Sequence, residues 1–215
     1  MAHVVTSSLL PGDLVFDIGA HVGNKAEWFL ERGLEVICVE PQPAMIQILR
    51  DRFATNPSAT VVGKGVGSSR GILQMSIATR SPVLSTFAEH WKHGRFSDVQ
   101  WDGRADVEII LLDDLIHQFG VPRYCKIDVE GYELEAIRGL SNRVGIISFE
   151  FTSEFMSEAL LVIERLILLG YKRFNISLAE SESYYFSQWI PYHELVSVLH
   201  ASRDSAGLWG DVYAN

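Results

Sequence analysis

The sequence is poor in cysteine and in basic residues. Its two cysteines, Cys38 and Cys125, lie inside apolar runs and have no partner at CxxC spacing. This pattern indicates buried, reduced thiols and argues against a disulfide-based scaffold. The 18 Lys and Arg residues are outnumbered by 27 Asp and Glu residues, which gives a net charge of −9 at pH 7. Proteins that bind a phosphate backbone usually carry a basic stripe, so we expect no nucleic-acid partner.

A long apolar segment is also lacking. The most apolar stretch, residues 158–170, contains Glu164 and Arg165 and is shorter than the roughly 20 residues that a membrane-spanning helix needs. We therefore predict that it forms a core helix and expect no membrane partner. The first residues, MAHVVTSSLLPGD, do not show the basic region and apolar core of an export signal, so we expect a cytoplasmic protein.

What the sequence does contain is an alternation of short β-rich runs and helical stretches. This alternation predicts an α/β fold of three layers, in which helices cover both faces of a Rossmann-like, mostly parallel sheet. The 215 residues, 47% of them hydrophobic, suit one domain spanning 1–215. A polar and aromatic excursion at about 79–106 is predicted to be a lid or substrate-binding insertion. The predicted strands lie in 13–20, 35–40, 59–67, 71–78, 123–131, 144–151, 171–180 and 208–214. The predicted helices lie in 23–33, 43–56, 132–140, 153–169 and 193–200. The segment 107–120 is predicted to be a strand followed by a helix.

Ligands of such sheets bind beyond the carboxyl ends of the strands, at the point where the strand order reverses. Several predicted strands end in residues that would share this rim of the sheet, and many of these residues are acids. Burying a carboxylate is costly unless it is paired or has a function, so the acids point to a ligand site. The rim residues are Asp17–Gly23, Glu40, Lys64–Gly67, Asp128–Gly131 and Glu150.

The turn D-I-G-A-H-V-G at 17–23 favours a nucleoside ligand that carries no phosphate. A dinucleotide-binding turn would read G-x-G-x-x-G and would present backbone N–H groups to a pyrophosphate. Here Asp17 would repel a pyrophosphate, whereas it suits the amino and sulfonium groups of S-adenosylmethionine. Glu40 ends the second strand, where an acid can accept hydrogen bonds from ribose hydroxyls. A tight turn without any ligand is the alternative.

Several longer stretches carry a more specific signal. They are VFDIGAHVGNKAEWF, EVICVEPQPAM, STFAEHWKHGRF, LLDDLI, CKIDVEGYELEAIRGL and ISFEF, and they cover roughly residues 14–151. Together they resemble the FkbM-like methyltransferases, with K-I-D-V-E-G-x-E at 126–133 as the most specific piece. This resemblance implies a class I methyltransferase fold, a seven-stranded sheet with an antiparallel C-terminal strand. It also implies methyl transfer from S-adenosylmethionine to hydroxyl oxygens of small molecules or sugars.

The rim and the resemblance together define a predicted cofactor site. The resemblance implies that Asp17, Gly19 and Gly23 lie beside the methionine part of S-adenosylmethionine and that Glu40 contacts the ribose. His21 is a departure, because the family more often has Asn at this position, and the charge of a histidine varies near neutral pH. The full predicted cofactor-binding set is Asp17, Gly19, Ala20, His21, Gly23, Glu40, Pro41, Lys64, Gly65, Val66 and Asp128.

Methyl transfer to a hydroxyl depends on positioning and on a base or metal that helps to remove the proton. Asp128 and Glu130 follow the strand that should border the methyl group. We predict that Asp128 lies next to the transfer centre and that Glu130 positions cofactor or acceptor; capping of the helix near residue 132 is the alternative for either acid. Glu150 is a third catalytic candidate, expected across the rim from Asp128. Asp128 and Glu150 together could bind a divalent ion, as in some O-methyltransferases, but the sequence shows no compact set of ligands, so no metal is predicted.

The insertion supplies further candidates. His93 is predicted as an alternative base, as is His90, because two histidines beside Trp91 favour a function more than a single loop histidine does. Ser85 and Thr86 are predicted to contact cofactor or substrate. The aromatic residues of the insertion and of the C-terminal part suit a lid over a concave site. Core packing or a homodimer explains them equally well.

Three other functions compete with methylation of a hydroxyl. Methylation of nucleic-acid bases is disfavoured, because Asp-Val-Glu-Gly at 128–131 stands where such enzymes carry an Asp/Asn-Pro-Pro-aromatic string. An NAD-binding oxidoreductase is disfavoured by the missing G-x-G-x-x-G. A protein that binds S-adenosylmethionine without turnover stays open. The acceptor, a hydroxyl of a small molecule or glycan, is not specified further, since a fold alone does not define a substrate.

Overall fold

The alternating sequence pattern forms strands and helices close to the predicted positions. The computed structural model describes residues 8–93, 96–179, 181, 183–201 and 207–215, so that parts of the predicted domain and insertion (1–7, 94–95, 180, 182 and 202–206) lie outside the described residues. The helices are α1 (Asn24–Leu30), α2 (Pro43–Arg52), α3 (Leu112–Phe119), α4 (Glu133–Arg138), α5 (Met156–Leu168) and α6 (Tyr192–Ala201). The strands are β1 (Leu14–Ile18), β2 (Glu35–Val39), β3 (Ala59–Val62), β4 (Gly65–Val66), β5 (Gly71–Ile77), β6 (Gly103–Ile110), β7 (Tyr124–Ile127), β8 (Ile146–Thr152), β9 (Arg173–Leu178), β10 (Ile190–Pro191) and β11 (Trp209–Ala214).

The central sheet has the strand order β10-β9-β11-β8-β7-β1-β2-β3. β1 pairs in parallel with both β2 and β7, so that Asp17 lies opposite Cys38 on one side and Lys126 on the other. β11 runs antiparallel between β8 and β9. The predicted α/β fold, with its mostly parallel sheet and antiparallel C-terminal strand, is confirmed. The short strand β10 adds an eighth strand beside the seven that were expected.

A second sheet contains β4, β6 and β5 in that order. The strand predicted from residue 107 begins at Gly103 and pairs antiparallel with β5, so it belongs to this small sheet and not to the central one. Its exposed and buried residues alternate, which is typical of a strand with one solvent-facing side. Residues 103–106 of the predicted insertion are therefore part of β6. The role of the remaining insertion as a lid stays a prediction.

Both faces of the central sheet are buried. In β1, Phe16 belongs to one apolar cluster and Val15 to the other, because successive side chains of a strand point to opposite faces. Cys38 and Cys125 are buried and free, as the sequence indicated. The most apolar stretch of the chain forms the core helix α5. Among the described helices, none has both the length and the apolar character that crossing a membrane requires.

A substitution at Ile147 of β8 measures how much the burial of one side chain in the central sheet contributes to stability. It is fully buried, and its strand lies between β7 and β11. Ile147→Ala leaves a cavity and should lower the free energy of unfolding by about 2–5 kcal/mol. The matched variant Ile72→Ala changes a residue of β5 that is 72% exposed and should cost less than about 1 kcal/mol. Urea denaturation measures both, and equal losses would contradict this account of the core.

Candidate active site

A first cavity, of about 600 Å³, lies beyond the carboxyl ends of β1, β2 and β7. Gly19 follows β1 with a φ of 82°, and a Cβ at this position would lie 1.8 Å from the carbonyl oxygen of Asp128. Only glycine permits this left-handed backbone together with so close an approach. The loops after β1 and β7 therefore meet at the wall of the cavity. The lining consists of Ile18, Gly19, His21, Val39, Glu40, Pro41, Gln42, Lys64, Gly65, Val66, Met75, Val83, Ser85, Phe87, Asp128, Val129, Glu130 and Tyr132.

Glu40 connects the loops that follow β1 and β2. Its Oε2 accepts a hydrogen bond of 2.8 Å from the backbone N–H of His21, and its Oε1 accepts one of 2.9 Å from the backbone N–H of Gln42. The residue is 2% exposed. This burial raises the pKa of Glu40 to about 7, although the two backbone N–H groups oppose the rise. Each carboxylate oxygen retains a lone pair for a further donor.

Most of the predicted cofactor residues line the first cavity: Gly19, His21, Glu40, Pro41, Lys64, Gly65, Val66 and Asp128. Ala20 and Gly23 do not. Ala20 is buried in the apolar cluster that contains Val15 and α1 residues. Gly23 packs against α2, where a Cβ would lie 2.8 Å from side-chain atoms of Leu49 and Phe53. Their positions do not support the predicted cofactor contacts, and Gly23 is explained by packing and by its φ of 86°.

Asp17 also differs from its predicted position. It is 1% exposed and is not part of the lining. Neither of its carboxylate oxygens has a hydrogen-bond partner among the described residues, but Nζ of Lys126 lies 3.6 Å from Oδ1. Burial raises the pKa of Asp17, and Lys126 opposes this rise. Lys126 is therefore a positive partner for Asp17 within the chain itself, and the contact of Asp17 with the cofactor stays a prediction.

Lys126 links Asp17 to the predicted catalytic acids. Its Nζ donates a hydrogen bond of 2.9 Å to Oδ2 of Asp128. Burial disfavours a charged lysine, yet Asp128 and Asp17 outweigh it and raise the pKa of Lys126 above its ordinary value. The ammonium group therefore stays charged and holds the Asp128 carboxylate in place. Lys126 was missed as a site residue, although its position two residues before Asp128 in K-I-D is a signal for such a contact.

Glu133 shapes the turn that follows β7. Its Oε1 accepts hydrogen bonds from the backbone N–H groups of Val129 and Gly131, at 3.0 and 3.2 Å. Glu130, between them, has a φ of 54°. Its carbonyl oxygen accepts a hydrogen bond of 2.6 Å from Oγ1 of Thr86. No side chain of the described residues caps α4, so the capping alternative for Asp128 and Glu130 is not supported.

Three carboxylates meet next to the first cavity. One oxygen from each of Asp128, Glu130 and Glu150 lies within 4.8 Å of the other two. Burial, followed by the charge of Asp128, raises the pKa of Glu130 and of Glu150. We call these three residues the carboxylate cluster. The sequence showed no compact set of metal ligands, whereas the pairing of β7 with β8 brings one together.

Two further cavities open onto the carboxylate cluster. Asp128 and Glu130 line both the first and the third cavity, so the cluster lies between them. Glu150 and Thr152 line both the second and the third. The second cavity, of about 910 Å³, is lined by Phe87–Trp91, Gly131–Glu135, Phe149–Thr152, Phe155, Glu158, Ala159 and Val162. The third, of about 730 Å³, is lined by Lys25, Val83, Leu84, Trp91, Phe96, Asp128, Glu130, Glu150, Thr152 and Trp209.

The structure separates the two histidines of the insertion. The ring of His90 packs against Phe155 with centroids 5.2 Å apart, lines the second cavity, and leaves Nε2 without a hydrogen-bond partner among the described residues. His93 is exposed and lines none of the three cavities, so its predicted role as a base is not supported. Trp91 stacks on Phe96 and on Phe155, which anchors this segment and turns His90 inward.

Sequence reasoning missed several lining residues of the first cavity, namely Gln42, Met75, Val83, Phe87 and Tyr132. Gln42 donates from Nε2 to the carbonyl oxygen of Pro82 at 3.1 Å and so joins the insertion to the loop after β2. Ser85, which was predicted, lines the cavity, whereas Thr86 acts through its bond to Glu130. No local pattern marks the missed residues, because they come from segments that only the fold brings together.

Two solved structures share this fold. Precorrin-6y C5,15-methyltransferase from Geobacter metallireducens matches with a TM-score of 0.50 and 11% identity, over 96% of this chain and 81% of that one. Fibrillarin from Aeropyrum pernix, solved with natively bound S-adenosyl-L-methionine, matches with a TM-score of 0.51 and 10% identity, over 100% and 73%. The fold is therefore that of the class I methyltransferases.

The family follows from the sequence match. A family model of the methyltransferase FkbM domain matches residues 17–173. The chain belongs to this family of methyltransferases, and its cofactor is S-adenosyl-L-methionine.

Individual relatives match over shorter stretches. The hexuronic acid methyltransferase AglP of Haloferax volcanii is 26% identical over 140 residues, which are 64% of this chain and 54% of AglP. A probable ribosomal RNA small subunit methyltransferase A of Methanosarcina acetivorans is 44% identical over 50 residues, 23% of this chain and 19% of that protein. The chain thus covers less than two thirds of the length of either relative.

The first cavity fits S-adenosyl-L-methionine. Glu40 offers lone pairs to hydroxyl donors such as those of a ribose. His21 leaves Nε2 without a partner among the described residues, so it can serve a polar group of the cofactor. Ile18, Val39 and Met75 add apolar surface for an aromatic base. These residues, with the backbone at Gly19, would hold the cofactor.

We expect cofactor binding to tighten as the pH rises from 6 to 8. Glu40 accepts two further hydrogen bonds best as a carboxylate, and its pKa of about 7 places its ionisation in this range. Below that pH a proton must leave before binding, which weakens the affinity by up to about tenfold per pH unit. Glu40→Gln should bind about tenfold more weakly at pH 8 and should lose this pH dependence. Calorimetry with S-adenosylhomocysteine measures both proteins, and an unchanged slope in the variant would contradict the assignment.

Proposed function

We propose that this protein transfers the methyl group of S-adenosylmethionine to a hydroxyl oxygen of a sugar or another small molecule. The observation that supports the proposal is the carboxylate cluster, which borders the cofactor cavity and opens onto two more cavities. Methyl transfer to a hydroxyl needs a group that accepts its proton. Acids at the border between cofactor and acceptor cavities meet this need.

The residues of the cluster have distinct tasks in this proposal. When bound, S-adenosylmethionine supplies an electrophilic methyl group. Asp128, held by Lys126, accepts a hydrogen bond from the acceptor hydroxyl at the border of the first cavity. Burial and the charge of Asp128 raise the pKa of Glu130 and of Glu150, so these two acids tend to hold protons near neutral pH, and the proton of the hydroxyl passes to the Asp128 carboxylate. Because the acids interact strongly, the proton belongs to the cluster as a unit.

The lining of the second cavity favours a neutral acceptor. The acids Glu89, Glu133, Glu135, Glu150 and Glu158 contribute to it, and among the described residues no Lys or Arg does. AglP is by name a hexuronic acid methyltransferase, but here Glu89 and Glu135 already pair with Lys92 and Arg138, and the described lining offers no further Lys or Arg to pair the carboxylate of a hexuronate. An RNA backbone would be repelled in the same way. A neutral sugar can instead donate hydroxyl hydrogen bonds to these acids.

We also propose that the chain is a single domain in which the insertion acts as a lid. Val83, Ser85 and Phe87 line the first cavity, and His90 and Trp91 line the second. One segment therefore contributes to the walls on both sides of the carboxylate cluster. This arrangement suits an element that excludes water from a methyl-transfer site.

Asp128→Asn tests the role of the cluster. Asparagine keeps the size of the side chain and an oxygen that can accept from Lys126, but it cannot serve as a base. We expect kcat to fall by about 100-fold or more, while the affinity for S-adenosylhomocysteine changes by less than about threefold. Glu40→Gln is the reciprocal control, since it should mainly weaken cofactor binding. Turnover of Asp128→Asn at the wild-type rate would remove Asp128 from the mechanism.

A panel of acceptors tests the charge preference. With labelled S-adenosylmethionine, neutral monosaccharides and glycosides should be methylated more efficiently than the matching hexuronic acids. The acids of the second cavity repel a carboxylate, so the difference should shrink at high ionic strength. A preference for hexuronates would contradict the proposed acceptor class and leave the methyltransferase assignment intact.

A further inference from the structure

The carboxylate cluster has the dimensions of a cation site. One oxygen from each of Asp128, Glu130 and Glu150 lies within 4.8 Å of the others. Oxygen ligands bind Mg²⁺ at about 2.1 Å and Ca²⁺ at about 2.3–2.6 Å, so two opposite ligands are about 4–5 Å apart and adjacent ligands are closer, which means that the three side chains must move together slightly to share one ion. One ion placed among the three oxygens can therefore contact them all after small side-chain rotations.

A fourth oxygen points to a ligand independently of the acids. Thr152 is 4% exposed, and its Oγ1 has no hydrogen-bond partner in the part of the chain that the structure describes. Buried hydroxyl groups are normally hydrogen-bonded. Thr152 follows Glu150 by two residues on β8, so both side chains lie on the same face of the strand. Thr152 also lines the third cavity together with all three acids.

Negative charge around the cluster is only partly balanced. Lys126 contacts Asp17 and Asp128 at the same time. Lys25 lines the third cavity. Within the described ranges, the ion pairs that form do not include Glu130 or Glu150. A cation would therefore meet two half-buried acids that no lysine or arginine among the described residues pairs.

The geometry points to a binding site for a hard divalent cation, of the Mg²⁺ or Mn²⁺ type, formed by Asp128, Glu130, Glu150 and Thr152. The donor atoms are all oxygens, which suit Mg²⁺, Mn²⁺ and Ca²⁺ and do not favour the softer transition metals. Four ligands from the chain leave coordination positions for water or for an oxygen of the acceptor. Local sequence patterns could not reveal this set, because it joins the loop after β7 to the end of β8.

The cation would act on the acceptor hydroxyl. A hydroxyl bound to the cation would lose its proton more readily, and the second oxygen of a ligating carboxylate, which does not bind the ion, could accept that proton. Because Asp128 and Glu130 also line the first cavity, a hydroxyl bound here would face the cofactor. This catalytic role rests on the proposed function, whereas the binding of the cation does not.

Titration of the full chain with MnCl₂, without cofactor or acceptor, tests the site. Electron paramagnetic resonance measures the free Mn²⁺, and we expect saturable binding of one ion per chain. Glu150→Gln should weaken binding by about tenfold or more, and Thr152→Val, which removes only the hydroxyl, by about threefold. Glu158→Gln is the matched control: it removes the same charge from the second cavity but lies outside the cluster, and it should bind Mn²⁺ within about twofold of wild type.

Two results would overturn the inference. One is the lack of saturable Mn²⁺ binding by the wild-type protein. The other is equal weakening by Glu150→Gln and Glu158→Gln, which would show a general effect of charge. Circular dichroism checks that each variant is folded; should Glu150→Gln not fold, Thr152→Val, with its nearly unchanged volume, decides the matter. Methyl transfer by a protein that binds no Mn²⁺ would contradict the inferred metal site but would agree with the proposed function.

Discussion

The active site of this protein depends on one buried ammonium group. Lys126 lies on β7 opposite Asp17 of β1, at the centre of the parallel sheet, and its Nζ reaches both Asp17 and Asp128. The buried groups of Lys126 and Asp17 are tolerated in the sheet because they compensate each other, since removing one partner leaves an uncompensated buried charge. The same contact sets the direction of the Asp128 carboxylate, from which the geometry of the cluster follows.

The loop after β7, which contains Asp128, contacts several other segments around the site. Gly19 brings the loop after β1 against the carbonyl group of Asp128, and Glu133 holds the backbone N–H groups of the turn. Thr86 binds the carbonyl group of Glu130 and so ties the insertion to the same turn. A single loop thereby lies between the first cavity and the other two. This explains why the most specific string of the sequence, at 126–133, is also the structural centre of the site.

The sequence predicted those features that local pattern encodes. Strands and helices follow from periodicity, and the cost of burying charge singled out the acids at strand ends; the first cavity is lined by Gly19, His21 and Glu40, three of the predicted cofactor residues. The pairing of β6 with β5 and the exposure of His93 show the limit of such patterns. In each case the local pattern was recognised, but the choice of partner strand, or of the side that faces inward, depends on packing. Gln42 became visible as a site residue only through its contact with the insertion.

By itself, the sequence determined the α/β class, the family and the cofactor, because strand-end acids, glycine turns and the K-I-D-V-E-G-x-E string are properties of neighbouring residues. Only the tertiary structure decided that Asp17 lies beside Lys126, and that Thr152 lines the same cavity as Asp128, Glu130 and Glu150. The physical reason is that these residues come from strands that are distant in the chain. Their side chains meet only because sheet pairing aligns β1, β7 and β8, and no local pattern specifies that alignment.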